Sequence, residues 1–180
     1  MREFFKRGGW LFLVLLFVIT GLGVGVYAFV ADTHSNGNDY ISCPLKPLKD
    51  KQQKKDGKYA GAKLVDFTPV QHISYVQCQD IKVGTGATAT ATSTISANYT
   101  GAVASTGEIF QSSLDSGQPL TNASLSSGVI AGWTAGIPGM KVGGTRRLLI
   151  PAQYAYGANP PPGIPVNADL VFDVTLLSVK

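Results

Sequence analysis

An α+β domain, an antiparallel sheet folded over one short helix, is what the sequence predicts for residues 71–180. Two observations predict it. Apolar residues alternate with polar ones at several places in this stretch, and a three-and-four spacing of apolar residues occurs only once. A sheet with a single amphipathic helix buries both apolar surfaces by folding one over the other.

The elements follow in order. Residues 1–8 form a basic tail with Arg2, Lys6 and Arg7 against Glu3. Residues 9–30 contain no charge and include the run Trp10-Leu-Phe-Leu-Val-Leu-Leu-Phe-Val-Ile19. About 20 apolar residues cross a bilayer as a helix, so this is expected to be a transmembrane anchor. The other reading is a cleaved signal, with a site near Val26-Tyr-Ala28; its apolar core would usually be only about 7–15 residues. Basic residues before the span place the amino terminus inside and the remainder outside, in a cell-membrane, extracytoplasmic setting; cleavage would make the domain secreted. Gly21, Gly23 and Gly25 lie within the apolar span, with no strand before them, and are not read as a nucleotide fingerprint.

Residues 31–70 are polar, interrupted by Pro44 and Pro47, and hold the lysine-rich run 49–58. Such a stretch has too little apolar surface for a core, which predicts a flexible tether. Its lysines are read as a solvated spacer, with contact to anionic headgroups as the second reading. Cys43 and Cys78 either form a disulfide joining tether to domain or stay as two thiols; an oxidising compartment favours the bridge.

Within the domain, the Ala/Thr/Ser stretch 86–94 suits a small-residue strand. Ile95, Ala97 and Tyr99 share one strand face. A helix is expected over 127–136, with Ser126 or Ser127 as its cap, Ile130, Trp133 and Ile137 on its buried side, and Gly136 with Pro138 ending it. Arg147-Leu-Leu-Ile150 reads as a strand stopped by Pro151. Leu170, Phe172, Val174 and Leu176 line one face of a last strand, with Asp173 and Thr175 opposite.

Charge placement excludes one function class. The net charge is +4, yet residues 71–180 carry five basic and five acidic side chains and are neutral. A nucleic-acid binder concentrates lysine and arginine on its folded domain. The only histidines are His34 and His72, one in the tether and one at the domain's edge, so no serine has an activating base and hydrolysis is disfavoured. What the domain does have is aromatics: Tyr99, Trp133, Tyr154, Tyr156 and Phe172. Scattered aromatics without a nucleophile, metal set or phosphate loop suggest a site that acts by shape and dryness.

Tyr99-Thr-Gly101, Phe110-Gln-Ser-Ser113, Val129-Ile-Ala-Gly-Trp133, Tyr154-Ala-Tyr-Gly157, Gly163-Ile-Pro165 and Leu170-Val-Phe-Asp-Val174 resemble, in order and spacing, the successive blocks of an FKBP-type peptidyl-prolyl cis-trans isomerase. The resemblance covers roughly residues 75–180. It implies a twisted antiparallel sheet wrapped around a short helix, and rotation of Xaa-Pro bonds in unfolded or exported polypeptides, with no cofactor or metal. Macrolides are the family's inhibitors. The resemblance also assigns roles. Trp133 is the floor on which a proline ring rests. Tyr99, Phe110 and Phe172 are the walls, Val129 and Ile130 stand at the helix start, and the Ile130 N–H holds a substrate carbonyl. Tyr156 offers its hydroxyl from the loop above, and Ile164 closes the rim. Three features depart from the family. Gln111 replaces an acid beside the Tyr99 hydroxyl, Leu120 and Asn122 replace rim aromatics, and Asn159-Pro-Pro-Pro-Gly163 stiffens the loop. Gln111 and Leu120 favour the alternative reading, a proline-peptide binding module that has lost turnover.

Overall fold

The computed structural model describes residues 43–180. The expected basic tail, the transmembrane or signal segment and the first part of the tether lie outside the described residues, within which no helix is long and apolar enough to cross a membrane. Six strands form one antiparallel sheet: β1 (Gln77–Lys82), β2 (Thr94–Val103), β3 (Ile109–Ser112), β4 (Leu120–Ser124), β5 (Thr145–Ile150) and β6 (Leu170–Val179). Their order is β1-β5-β6-β2-β3, with β4 also pairing β2. Two short helices, α1 (Ser113–Ser116) and α2 (Ala131–Gly136), and a 3-10 turn, Ala152–Tyr154, complete it. The α+β architecture expected from the alternation is therefore present.

The two ten-residue strands carry the core. Leu170, Phe172, Val174 and Leu176 are at most 3% exposed, as are Ile95 and Ala97 on β2 opposite them. These pack with Trp133, Ile137, Leu148 and Ile150 into the main apolar cluster. α2 lies unusually close to β5 because two of its residues have no side chain. A Cβ on Gly132 would sit 2.4 Å from Ile150 Cγ2, and one on Gly136 would sit 2.6 Å from Leu148 Cδ2. Real Cβ atoms do not approach so closely, so these glycines set the height at which Trp133 is carried over the sheet.

The helix is shorter than expected. Ser124 accepts backbone hydrogen bonds from Ser127 and Gly128, which spends residues 124–128 on a turn. Ile130 then takes the cap position in an extended conformation (φ −63°, ψ 150°), with no side-chain cap. Neither Ser126 nor Ser127 caps α2; the sequence reading placed its start too early because a turn also favours serine. Thr134 Oγ1 donates instead to the Leu125 carbonyl at 2.7 Å and ties the helix to the preceding loop.

The stretch 86–94 is likewise no strand until Thr94. Ser93 Oγ accepts the Thr90 N–H at 3.1 Å and bonds Thr90 Oγ1. Hydroxyls that bond nearby backbone compete with the ladder and favour turns.

The largest departure concerns the tether. Its described part, residues 43–70, is folded onto the domain expected to start at 71: residues 44–46 pair with the edge of β1 and the later ones cover the outer face of the sheet. Ala62 and Leu64 join Ala102, Ile109 and Val171 in a second apolar cluster, with Tyr59 and Phe67 packed on it. This explains why Val171, on the face opposite Phe172, is fully buried. Consecutive arginines of β5 serve the two faces. Arg146 is paired with Asp80 at 2.7 Å and donates to the carbonyls of Gly136 and Pro138. Arg147, 2% exposed, pairs with Asp173 at 2.7 Å and donates to the carbonyls of Asp66 and Val65. Cys43 and Cys78 are joined by a disulfide with Cα atoms 5.0 Å apart. A loop of this length constrains the unfolded chain by about 3–4 kcal/mol in the chain-entropy account.

Two carboxylates clamp this wrap through backbone N–H groups. Asp115 of α1 accepts from Tyr59 at 2.7 Å and Ala60 at 2.9 Å. Asp66 accepts from Asp50 at 3.0 Å and from Lys49. The Asp50 N–H, foremost, holds the Asp66 carboxyl below its ordinary value of 3.8. Desolvation acts against Asp115, but the N–H groups of Tyr59 and Ala60, helped by Lys54 and Lys58, lower it as well. A carboxylate depressed in the folded state stabilises above its unfolded pKa, and that contribution is lost as pH falls through the folded value. Hydrogen exchange at the Asp50, Tyr59 and Ala60 amides is therefore expected to accelerate below about pH 3.8, relative to the Leu176 amide in the core; unchanged ratios down to pH 2 would contradict the clamp.

Candidate functional site

Four aromatic rings meet at one end of the sheet, each delivered by a different element. β2 supplies Tyr99, the start of β3 Phe110, α2 Trp133 and β6 Phe172. Phe172 is the hub. Its ring centroid lies 5.6 Å from Trp133, 5.8 Å from Phe110 and 6.4 Å from Tyr99, and Tyr99 lies 5.8 Å from Trp133. The three shorter contacts are edge-to-face, at 77–88° between planes, the arrangement that ring quadrupoles favour.

Burial grades the site from floor to rim. Trp133 is 4% and Phe172 3% exposed. Tyr99, Phe110, Leu120, Val129 and Ile130 are half-buried and pack on the main core. Tyr156 is exposed, and Ile164 is 9% exposed within the main core cluster. The indole Nε1 of Trp133 is buried with no hydrogen-bond partner among the described residues. An orphaned buried donor costs about 1–3 kcal/mol, and such groups are commonly tied to function.

The two tyrosines stand close enough to influence each other. Desolvation pushes the Tyr99 phenol above its ordinary 10.0, and the neighbouring Tyr156 adds to it. Desolvation raises Tyr156 too. Both hydroxyls are therefore protonated donors throughout the neutral range. At the start of α2 the Ile130 N–H has no acceptor among the described residues, while the Ile130 carbonyl already accepts from Trp133 and Thr134. An open N–H at the edge of an apolar site is a ready partner for a carbonyl oxygen.

Gln111 is exposed on β3, paired across the ladder with Gly101. The ladder register shifts between Gly101 and Ala102, which crowds Phe110 and Gln111 onto one partner residue. Asn122 adopts a left-handed backbone (φ 52°). Asparagine tolerates that conformation far better than a bulky aromatic does.

Two contributors went unnoticed in the sequence. Gly101 sits beneath the walls: a Cβ there would lie 2.6 Å from Phe110 Cζ and 2.7 Å from Phe172 Cε1. The glycine of the Tyr-Thr-Gly block is thus the space into which two rings lean. Ser113 accepts the Tyr99 N–H at 2.9 Å and donates to Asn98 Oδ1 at 3.1 Å, and Ser112 bonds Thr100 Oγ1 at 2.9 Å. These hydroxyls stitch the Phe110 segment to β2 and so fix one wall against another. Gly101→Ala is expected to displace both phenylalanine rings, costing about 1–3 kcal/mol of stability as overpacking does. Thermal melts and the aromatic NMR spectrum check this; an unchanged Phe172 environment would contradict it.

Residues 86–177 match the family model for FKBP-type peptidyl-prolyl cis-trans isomerase. FK506-binding protein 4 of Emericella nidulans is 38% identical over 137 residues, which is 74% of this chain and 28% of that protein. FK506-binding protein 4 of Rhizopus delemar is 46% identical over 103 residues, 57% of this chain and 26% of that protein. The chain thus spans about a quarter of the length of these curated relatives. The crystal structure of FkpA from Escherichia coli superposes with a TM-score of 0.52 at 42% identity, covering 57% of this chain and 47% of that one. The crystal structure of AtFKBP13 gives 0.54 at 33% identity, covering 61% of this chain and 96% of that one.

Proposed function

From the premise that the chain belongs to the FKBP-type peptidyl-prolyl cis-trans isomerase family, we propose that its aromatic site catalyses rotation about Xaa-Pro bonds. The observation that carries this reading is the cluster of Tyr99, Phe110, Trp133 and Phe172, with the unpaired Ile130 N–H at its edge.

The physical problem is a barrier of about 18–20 kcal/mol, set by the loss of amide resonance. Unaided crossing takes tens to hundreds of seconds. The planar bond places negative charge on oxygen, and the twisted bond does not. A dry aromatic surface thus disfavours the planar state relative to the twisted one. The proline ring rests on the Trp133 face between Tyr99, Phe110 and Phe172. The Ile130 N–H and the Tyr156 hydroxyl donate to substrate carbonyls and hold the backbone while the bond turns. No proton is transferred and no covalent bond forms, so protonated tyrosines and the lack of a nearby histidine suit the task.

The setting belongs to the same proposal. Residues 9–30 anchor the chain in a membrane, or are cleaved, and the domain acts on exported polypeptides. The uncharged segment after a basic tail supports this, as does the Cys43–Cys78 disulfide. A thiol titration of denatured, unreduced protein is expected to find no free thiol; two thiols would count against the extracytoplasmic setting.

Gln111 supports a second reading, that the domain binds proline-containing peptides without useful turnover. An exposed amide stands there in place of an acid. The two readings part in one experiment on residues 43–180, the part that carries the disulfide and the wrap. Exchange NMR on a short Xaa-Pro peptide shows faster cis-trans exchange for an isomerase. For a binding module the exchange is unchanged while a parallel fluorescence titration shows quenching of Trp133.

A further inference from the structure

Behind the 151–169 loop lies a groove of about 830 Å³, inside the roughly 300–1,000 Å³ range of ligand sites. It is bounded by the 71–74 segment, by Val103 and Ser105 at the end of β2, and by both ends of the loop. Tyr156 and Ile164, which belong to the aromatic site, do not line it. It is therefore a separate site, and nothing in the proposed isomerisation uses it.

Its charge is one-sided. Asp169 is the only carboxylate in the lining, and no lysine or arginine lies there. The Asp169 carboxylate is held rigidly: Oδ2 accepts the Ile73 N–H at 2.7 Å and Oδ1 the Ala152 N–H at 2.8 Å. The side chain is 12% exposed, so it faces a partly desolvated space. The one basic side chain in the groove lining is His72, with Nδ1 3.6 Å from Asp169 Oδ2 and a side chain 77% exposed. Beside the charge run apolar surfaces from Pro165 and Val166, with Val166 64% exposed. The amides of Gln71, Gln153 and Asn167 supply donors and acceptors along its length.

We propose that this groove is a second polypeptide-binding site, taking an extended segment in which lysine or arginine neighbours an apolar side chain. The cation sits against Asp169 in place of His72, and the apolar side chain lies on exposed Pro165. Charge complementarity decides the occupant. A fixed carboxylate in an otherwise uncharged groove favours a cation, and the chain's own residues 31–42, with Asp32 and Asp39 and no lysine or arginine, do not match it.

The test uses the full-length chain in an uncharged maltoside detergent. The probes are an unstructured, proline-free peptide with two Arg-Leu pairs spaced by glycine and serine, and its Glu-Leu twin. The Arg peptide is expected to shift the amides of Ser74, Ser105, Val166 and Asn167 and to weaken with added salt. Asp169 also holds the loop, so the charge is varied at exposed Val166 instead. Val166→Glu should tighten and Val166→Lys should loosen the Arg peptide by about threefold each, the size of an exposed ion pair. Equal binding of the Glu twin overturns the proposal. So do shifts confined to Tyr99 and Trp133, or groove shifts that appear with protein concentration alone and mark a second copy. Exchange of a short Xaa-Pro peptide, measured on the same Val166 variants, should not change; this separates failure of the groove from failure of the isomerase reading.

Discussion

Trp133→Ala is expected to slow Xaa-Pro exchange by about tenfold to a hundredfold per folded molecule, a loss of about 1.4–2.8 kcal/mol from barrier lowering. The indole supplies the flat surface beneath the proline and touches both Tyr99 and Phe172. Removing it admits water where dryness is needed and frees two walls to move. Phe172→Ala should lose activity for the same reason, because Phe172 contacts all three other rings. Both residues are buried, and truncating a buried aromatic costs about 3–5 kcal/mol of stability. Activity is therefore read against the folded fraction, and Trp133→Leu, which keeps more of the volume, separates packing from surface. Tyr156→Phe serves as the contrast. It deletes one hydroxyl from an exposed ring and should cost several-fold less than Trp133→Ala. Full activity in both Trp133 variants would place the site elsewhere.

The second large effect concerns the wrap. A chain starting at residue 71 lacks the Cys43 partner, both carboxylate clamps' backbone donors, and the carbonyls that Arg147 donates to. The disulfide alone contributes about 3–4 kcal/mol. Ala102, Ile109 and Val171 also lose their cover. The sum is on the order of 5 kcal/mol or more, comparable to the whole stability of a small domain. Denaturant titration should therefore find the 71–180 chain largely unfolded at a concentration where residues 43–180 are folded. Equal midpoints for the two chains would show that the wrap is decoration.

These two predictions also mark where the sequence was legible and where it was not. The β6 alternation of Leu170, Phe172, Val174 and Leu176 could be read directly, because a strand with one face on the core repeats every two residues. The four rings Tyr99, Phe110, Trp133 and Phe172 were legible as a set, since the spacing of the aromatic blocks carries the family resemblance, and the rings do meet. The wrap was not legible. Its apolar content is a few residues, Tyr59, Ala62, Leu64 and Phe67, within a lysine-rich run. What holds it is long-range: Asp115 reaches Tyr59 across 56 positions and Arg147 reaches Val65 across 82. No local pattern encodes such contacts. Helix α2 was misjudged at its start for the opposite reason, a local signal too generous, since serine before an apolar run marks a turn as readily as a cap. Gly101 was legible only as part of the Tyr99-Thr-Gly101 block, because a glycine that makes room for Phe110 and Phe172 is recognisable as such only once those rings are placed.

The central claim is that a dry aromatic surface lowers the cost of twisting an Xaa-Pro bond, without acid, base or nucleophile. Two-dimensional exchange NMR of an Ala-Pro tetrapeptide with residues 43–180, run from pH 6 to 9, tests it most directly. The account predicts accelerated exchange with a rate that stays flat across that range, because Tyr99 and Tyr156 both titrate above 10.0. Acceleration that rises or falls with a midpoint inside that range, or no acceleration, would contradict it.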